Sequence, residues 1–155
     1  MSWKPTIAAA RIAVELRDLQ IEPLQNVSAG LAETGDIYNW IALIIGPENT
    51  PYEGGLFKMK IEIGENYPFV PPRVTMVTPV YHPNFVADFP LCLDVLQRDW
   101  SPAMTVTDVL LSVVSLMGQP DLTKPSVTTI ARLYSEDIEL YNATARLWTR
   151  TYANE

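Results

Sequence analysis

The chain has 155 residues, of which 48% are hydrophobic and 19% charged, and its formal net charge is −7. This length favours a single domain over residues 1–155, and the composition is typical of a soluble globular protein. The acidic balance argues against a nucleic-acid binder, because phosphate binding needs a basic face. No apolar run reaches the roughly 18 residues that span a membrane, and residues 1–5 are not followed by a signal-peptide core. We therefore expect neither a nucleic-acid nor a membrane partner.

The chain holds one cysteine, Cys92, and one histidine, His82. A single cysteine cannot form an internal disulfide, which favours an intracellular protein. One thiol and one imidazole are also too few for a zinc site, which usually takes about four ligands. We expect no metal.

Hydrophobic spacing predicts a helix over residues 6–19, with Pro5 suited to its first turn. Four short strands are predicted next, at residues 27–32, 37–45, 56–63 and 73–77. In the third strand, apolar residues alternate with Lys58, Lys60 and Glu62, which is the period of a half-buried strand.

The second half of the chain is predicted to contain a long loop and three helices. Prolines keep residues 67–72 out of regular structure. Residues 78–100 show no periodicity, and a loop of this length inside a compact domain is usually functional. Thr105 or Thr107 could cap a helix that ends near Met117, and two more helices are predicted at residues 126–134 and 136–152. This order of elements is typical of an α+β fold with one antiparallel sheet.

Several short strings follow one another along the chain, and each alone would be a weak signal. They are Ser28-Ala29-Gly30, Trp40, Gly46-Pro47, Pro51-Tyr52-Glu53-Gly54-Gly55, Tyr67-Pro68-Phe69, Pro71-Pro72, Tyr81-His82-Pro83-Asn84, Cys92-Leu93-Asp94, Trp100-Ser101-Pro102-Ala103, Leu110-Leu111-Ser112 and Trp148-Thr149. Together they resemble the ubiquitin-conjugating enzyme family over about residues 11–153, and most closely its broad-specificity ubiquitin class. The resemblance implies a four-stranded antiparallel meander sheet with an N-terminal helix, a long central helix and C-terminal helices.

Cys92 can be interpreted in two ways. A lone cysteine flanked by Leu91 and Leu93 is usually a small buried core residue. The resemblance implies instead a nucleophile that takes the ubiquitin C-terminus from the activating enzyme and holds it as a thioester. Attack on an activated thioester needs only a fraction of the thiol as thiolate, so no Cys-His dyad is required.

Three further residues of the loop match the family around this cysteine. The resemblance implies that Tyr81 and His82 support the loop, although a histidine in a turn is often only a packing residue. Asn84 could donate to an oxyanion when an amine attacks the thioester. It could equally brace the loop by bonding backbone groups, as asparagine does in turns.

The acids and bases near the cysteine include departures from the family pattern. Asp94 matches an acid that orients the incoming lysine and can accept its proton, although alone it could be a solvated charge. Lys124 stands where the family usually has an acid, and Asp121 is the nearby acid that would compensate for that loss. Phe89 and Pro90 replace a commonly small segment before the cysteine. We expect thioester formation to be retained and lysine discharge to be slower or more ligase-dependent than in close relatives, because a cation repels an ammonium group.

Other matched residues lie on surfaces that bind proteins in the family. Phe69, Pro102, Ala103 and Arg11 match the ligase-binding surface, although Phe69 beside prolines could equally belong to the core. Exposed apolar residues often mark interfaces. The remaining matches are Leu111 and Ser115, on the face that holds the donor ubiquitin, and Ser28, on the backside surface.

The sequence therefore predicts a ubiquitin-conjugating enzyme that works as a monomer in the cytoplasm and nucleus. Its expected partners are ubiquitin, the activating enzyme, and RING, U-box or HECT ligases. It needs no cofactor, since the activating enzyme uses the ATP. The alternatives are a non-catalytic ubiquitin-binding scaffold of the same fold, a carrier of a ubiquitin-like modifier, and a generic α+β interaction domain without chemistry.

Overall fold

The computed structural model describes residues 6–154, and Pro5, predicted in the first helical turn, lies outside them. Four strands lie between one N-terminal α-helix and three later α-helices, and the loop predicted at residues 78–100 contains one short 3₁₀ helix, Asp94–Leu96. The elements are α1 (Ile7–Ile21), β1 (Val27–Leu31), β2 (Asn39–Ile45), β3 (Leu56–Glu62), β4 (Arg73–Met76), α2 (Val106–Gly118), α3 (Thr128–Glu136) and α4 (Ile138–Tyr152). Each strand pairs antiparallel with the next, in the order β1-β2-β3-β4. This meander confirms the predicted fold class.

The alternating residues of the central strands fix the register of the sheet. Buried residues of β2 face buried residues of β3 in the pairs Trp40↔Ile61, Ala42↔Met59 and Ile44↔Phe57. Lys58 and Lys60 alternate with them and are exposed. A slip of one residue would put these lysines into the core, so burial specifies the register strongly. Buried residues of the sheet, α1, α2 and α4 form one hydrophobic core.

Hydrogen bonds decide two element boundaries that periodicity predicted only roughly, one through a side chain and one through the backbone. The carboxylate of Asp36 accepts the Tyr38 N–H at 3.0 Å, so β2 begins at Asn39 and not at residue 37. The N–H groups of Ser126 and Val127 donate to the Pro83 carbonyl at 2.8 and 3.0 Å. These bonds hold the chain in a turn, and α3 therefore begins at Thr128 instead of residue 126.

The two candidate caps of the central helix α2 are now distinguished. The Thr105 hydroxyl accepts the Asp108 N–H at 3.1 Å, and the Asp108 carboxylate accepts the Thr105 N–H at 3.0 Å. This reciprocal pair is a capping box, which satisfies two N–H groups at the start of the helix. Thr105 is therefore the cap, and Thr107 lies within the helix.

None of the helices between residues 7 and 152 is both long and apolar enough to cross a membrane.

Replacing Gly46 by alanine should destabilise the fold by about 3 kcal/mol. A methyl group there would overlap the backbone carbonyl of Tyr52, which cannot move aside like a side-chain end. The measurement is the urea unfolding midpoint followed by tryptophan fluorescence. Gly30→Ala is the matched control, because a methyl group at Gly30 meets no atom within 4 Å. Equal midpoints for the two variants would contradict the prediction.

Candidate active site

Cys92 lies on the long loop between β4 and α2. The two residues that precede Cys92 attach this loop to the sheet. The Leu91 N–H donates to the Val74 carbonyl at 2.8 Å, and Pro90 pairs with Thr75 of the edge strand. Cys92 itself is exposed. The interpretation of this residue as a buried core cysteine is therefore wrong, because the apolar neighbour Leu91 takes the buried position instead.

Asn84 joins this loop to the loop that follows α2. Its side-chain N–H donates to the Asp121 carbonyl at 2.9 Å, and its side-chain oxygen accepts the Asp121 N–H at 2.9 Å. Asn84 is buried. These two bonds are the contacts of a loop brace, one of the two roles that the sequence left open. A role for Asn84 in the transfer step stays a prediction.

His82 is buried and structural in its contacts. Its Nδ1 accepts the Asn84 N–H at 3.0 Å, so the ring proton is on Nε2, which donates to the Leu116 carbonyl at 2.8 Å. Burial lowers the pKa of His82 from 6.5 to about 4. The ring is therefore neutral at physiological pH, and it links the loop to α2.

Tyr81 is held by both its backbone and its ring. Its carbonyl accepts the Tyr52 hydroxyl at 2.6 Å, and the Tyr52 hydroxyl lies 2.5 Å from that of Tyr141. Burial is the main cause that raises the pKa of Tyr141 to about 12. The Tyr81 ring packs against Trp148, with centroids 5.4 Å apart. These contacts are consistent with the loop-supporting role implied by the resemblance.

Asp94 is engaged on both carboxylate oxygens by cations. Its Oδ2 lies 3.1 Å from Arg98 Nη2, and its Oδ1 lies 3.8 Å from Lys124 Nζ. Asp94 is thus neither simply solvated nor open on both sides to an incoming amine. The resemblance implies that the Asp94 carboxylate orients the incoming lysine. Lys124, a departure from the family pattern, lies beside this carboxylate.

The side chain of Asp121 is turned toward its own loop. Its Oδ1 accepts the N–H and the hydroxyl of Thr123 at 2.9 and 2.5 Å. These hydrogen bonds lower the pKa of the Asp121 carboxyl, which is exposed. The carboxylate of Asp121 is therefore used in a turn, and its compensation for Lys124 stays a prediction.

Phe89 lies in a turn before the cysteine. The preceding residue, Asp88, has a positive φ of 65°, and the Phe89 N–H donates to the Val86 carbonyl at 3.2 Å. The Phe89 side chain is exposed. The following residues, Pro90 and Leu91, are attached to β4.

A groove of about 410 Å³ lies between the residues that follow Cys92 in the chain and the helix α2. The residues just after Cys92 and one face of α2 line it together: Leu93, Val95, Leu111, Ser112, Ser115, Leu116 and Gln119. The groove unites Leu111 and Ser115, the predicted donor-ubiquitin face. Sequence reasoning missed Leu93 and Val95 as lining residues, because it treated them only as neighbours of a core cysteine.

The predicted ligase surface is exposed except at Arg11. Phe69 is 64% exposed, so its assignment to the core is wrong, and Pro102 and Ala103 are exposed as well. Arg11 donates instead to the carbonyls of Pro102 and Met104, both at 2.7 Å. Its guanidinium thus holds the loop that presents the predicted surface, and a direct ligase contact stays a prediction.

A buried carboxylate that sequence reasoning missed supports the same region. Glu15 accepts from Arg11 Nε at 3.1 Å, from the Val106 N–H at 2.7 Å and from the Tyr67 hydroxyl. Burial and Glu15 raise the pKa of Tyr67. The spacing of Arg11 and Glu15, four residues apart on a helix, is the one sequence signal that could have found this pair.

Ser28 is exposed on β1, at the opposite edge of the sheet from β4. It lies in a shallow depression lined also by Val27, Leu43 and Ile45. This position separates the predicted backside surface from the Cys92 loop.

Within residues 6–154, no cluster of three or more histidine, cysteine or acidic residues could hold a metal ion.

Comparison with known proteins agrees with this arrangement. The family model for ubiquitin-conjugating enzymes matches residues 11–149. The E2 domain of a Toxoplasma gondii ubiquitin conjugating enzyme is similar with a TM-score of 0.84 and 40% identity, over 94% of this chain and 98% of that one. A Plasmodium yoelii protein named as a candidate ubiquitin conjugating enzyme is similar with a TM-score of 0.88 and 36% identity, over 99% of both chains. The chain belongs to the ubiquitin-conjugating enzyme family.

The low pKa of His82 predicts a pH dependence of stability. Between pH 6.5 and about 4 the unfolded chain binds a proton on His82 that the folded protein does not. The free energy of unfolding therefore falls as the pH drops through this window, by about 3 kcal/mol from this residue alone.

Urea unfolding at pH 7 and at pH 4 tests this prediction, with His82→Gln measured beside the wild type. The variant should be less stable at pH 7 and should lose less stability on acidification. Equal losses for the two proteins would show that His82 does not titrate abnormally.

Proposed function

We propose that Cys92 accepts ubiquitin from the activating enzyme as a thioester and passes it, with a ligase, to a lysine or to a ligase cysteine. The single observation that carries the proposal is the exposed thiol of Cys92, whose next residue in the chain, Leu93, lines the groove together with Val95 and Leu111. A groove of this kind suits the extended chain end that a thioester would carry. The thiolate attacks the incoming thioester carbonyl, and the thiol of the activating enzyme leaves.

The neighbouring residues fit roles in the second transfer. When an amine attacks, negative charge develops on the carbonyl oxygen, and a fixed amide donor such as Asn84 would stabilise it. Asp94 would orient the attacking amine and accept its proton. His82 and Tyr81 would act as positioning residues, because they hold the backbone of the loop that carries Asn84.

The partners follow from the surfaces. Ubiquitin would lie along Leu111 and Ser115, a ligase of the RING, U-box or HECT type would contact Phe69, Pro102 and Ala103, and a second ubiquitin could bind at Ser28. We propose a single-domain monomer of the broad-specificity class that acts in the cytoplasm and nucleus. It would need no cofactor, since the activating enzyme consumes the ATP. No observation favours a non-catalytic scaffold.

Thioester charging tests the proposal directly. Incubation with activating enzyme, ATP and ubiquitin should give an adduct on a gel that disappears with reductant. Cys92→Ala should give none, because no other thiol exists in the chain. If the protein is charged only with a ubiquitin-like modifier and the activating enzyme of that modifier, ubiquitin is not its substrate. If it is charged with none of them, the assignment as an enzyme is wrong.

Replacing Lys124 by aspartate should speed discharge of the thioester to free lysine by about fivefold. The change removes a cation beside Asp94 and adds an anion, and exposed charge pairs are worth up to about 1 kcal/mol. The measurement is the rate of ubiquitin–lysine conjugate formation from purified thioester.

The control is Lys58→Asp, which makes the same charge change on β3. A rise in both variants would indicate a general charge effect, and no rise with Lys124→Asp would refute the local repulsion.

A further inference from the structure

The amine of Lys124 is already placed where the proposed mechanism needs an acceptor amine. Its Nζ lies 3.8 Å from Asp94 Oδ1, and its side chain is 65% exposed. Asp94 follows Cys92 by two residues. In the proposed function, its carboxylate orients the incoming lysine. The chain therefore supplies its own primary amine beside a carboxylate that is two residues from Cys92, and two residues span at most about 7 Å of chain.

The backbone on both sides of Lys124 is hydrogen-bonded to the first part of the long loop that carries Cys92. On one side, Asp121 exchanges two hydrogen bonds with the Asn84 side chain. On the other side, Ser126 and Val127 both donate to the Pro83 carbonyl. These bonds fix the backbone on both sides of Lys124, so the side chain reaches Asp94 from an anchored position.

The other described lysines do not share this placement. Lys58 and Lys60 are exposed on β3, and Lys60 pairs with Glu62 at 3.7 Å. Within residues 6–154, Lys124 is the lysine that pairs with a carboxylate of the cysteine loop.

We propose that Lys124 is an intramolecular acceptor, so that the charged enzyme modifies itself with ubiquitin at this residue. The inference rests on the proposed function, because it needs the thioester on Cys92. The neutral amine of Lys124 attacks the thioester carbonyl carbon, a C–N bond forms, and the C–S bond to Cys92 breaks. The ammonium group releases two protons in total, one of which restores the thiol, and the other passes to solvent.

Proximity makes this reaction competitive with attack by lysine from solution. A reacting group held in the same molecule acts at an effective concentration far above that of free lysine. The ammonium form of Lys124 repels the ammonium group of a second lysine, and the neutral form of Lys124 is the nucleophile. Lys124 would thus disfavour outside lysines and react itself.

The experiment follows purified thioester after the activating enzyme is stopped, without ligase or free lysine. We expect a reductant-resistant adduct, with the ubiquitin remnant mapped to Lys124 by peptide mass spectrometry. Lys124→Arg keeps the charge but removes the nucleophile, and its adduct per amount of thioester should fall at least about tenfold. The triple variant Lys4→Arg, Lys58→Arg, Lys60→Arg is the matched control and should keep the adduct within about twofold.

A mixing experiment separates attack within one molecule from attack between two. Cys92→Ala offers Lys124 without a thioester, and Lys124→Arg carries the thioester without the amine. The mixture should give no adduct on Cys92→Ala if the reaction is intramolecular. An adduct there, or a remnant at a lysine other than Lys124, would overturn the inference.

The two proposals fail in different ways. Absence of the reductant-sensitive band means that the proposed function is wrong. A normal thioester that yields no reductant-resistant adduct, or that yields equal adduct in Lys124→Arg, means that only the self-modification is wrong.

Discussion

The buried carboxylate of Glu15 is the contact on which the arrangement of the loops depends. A buried charge is costly unless donors surround it, and this one takes bonds from Arg11, Tyr67 and the Val106 N–H. These donors come from α1, the proline-rich loop and the first turn of α2. The segments cannot separate without leaving the charge unpaired, so Glu15 holds together the region that exposes Phe69.

The segment from His82 to Asn84 plays a comparable part on the other side of the cysteine. His82 bonds to α2, and Asn84 bonds to the backbone of Asp121. Two loops distant in sequence therefore share one support, and the thiol is presented on a frame that needs little reorganisation. Preorganisation of this kind lowers the cost of bringing reacting groups together, and it also places Lys124 beside Asp94.

Much of the fold could be predicted from the sequence, because strands and helices bury residues with different periods. The alternation of residues 56–63 and the helical spacing of α2 identified those elements. The errors lie at ends such as those of β2 and α3, where the Asp36 side chain and the Pro83 carbonyl capture backbone N–H groups. The motifs predicted the loop residues of the site together, but they missed Glu15 and the groove residues Leu93 and Val95. The spacing of Arg11 and Glu15 permits a pair without showing that it is buried, and the groove forms only where the Cys92 loop meets α2.

The sequence by itself determined the family, the order of elements and the residues to inspect around Cys92, because motif identity and periodicity are properties of neighbouring residues. Only the tertiary structure decided that Cys92 and Phe69 are exposed, that Arg11 bonds to the loop before α2, and that Lys124 pairs with Asp94. Exposure and ion pairing depend on which segments pack against one another, and that packing is set by contacts between residues far apart in the chain.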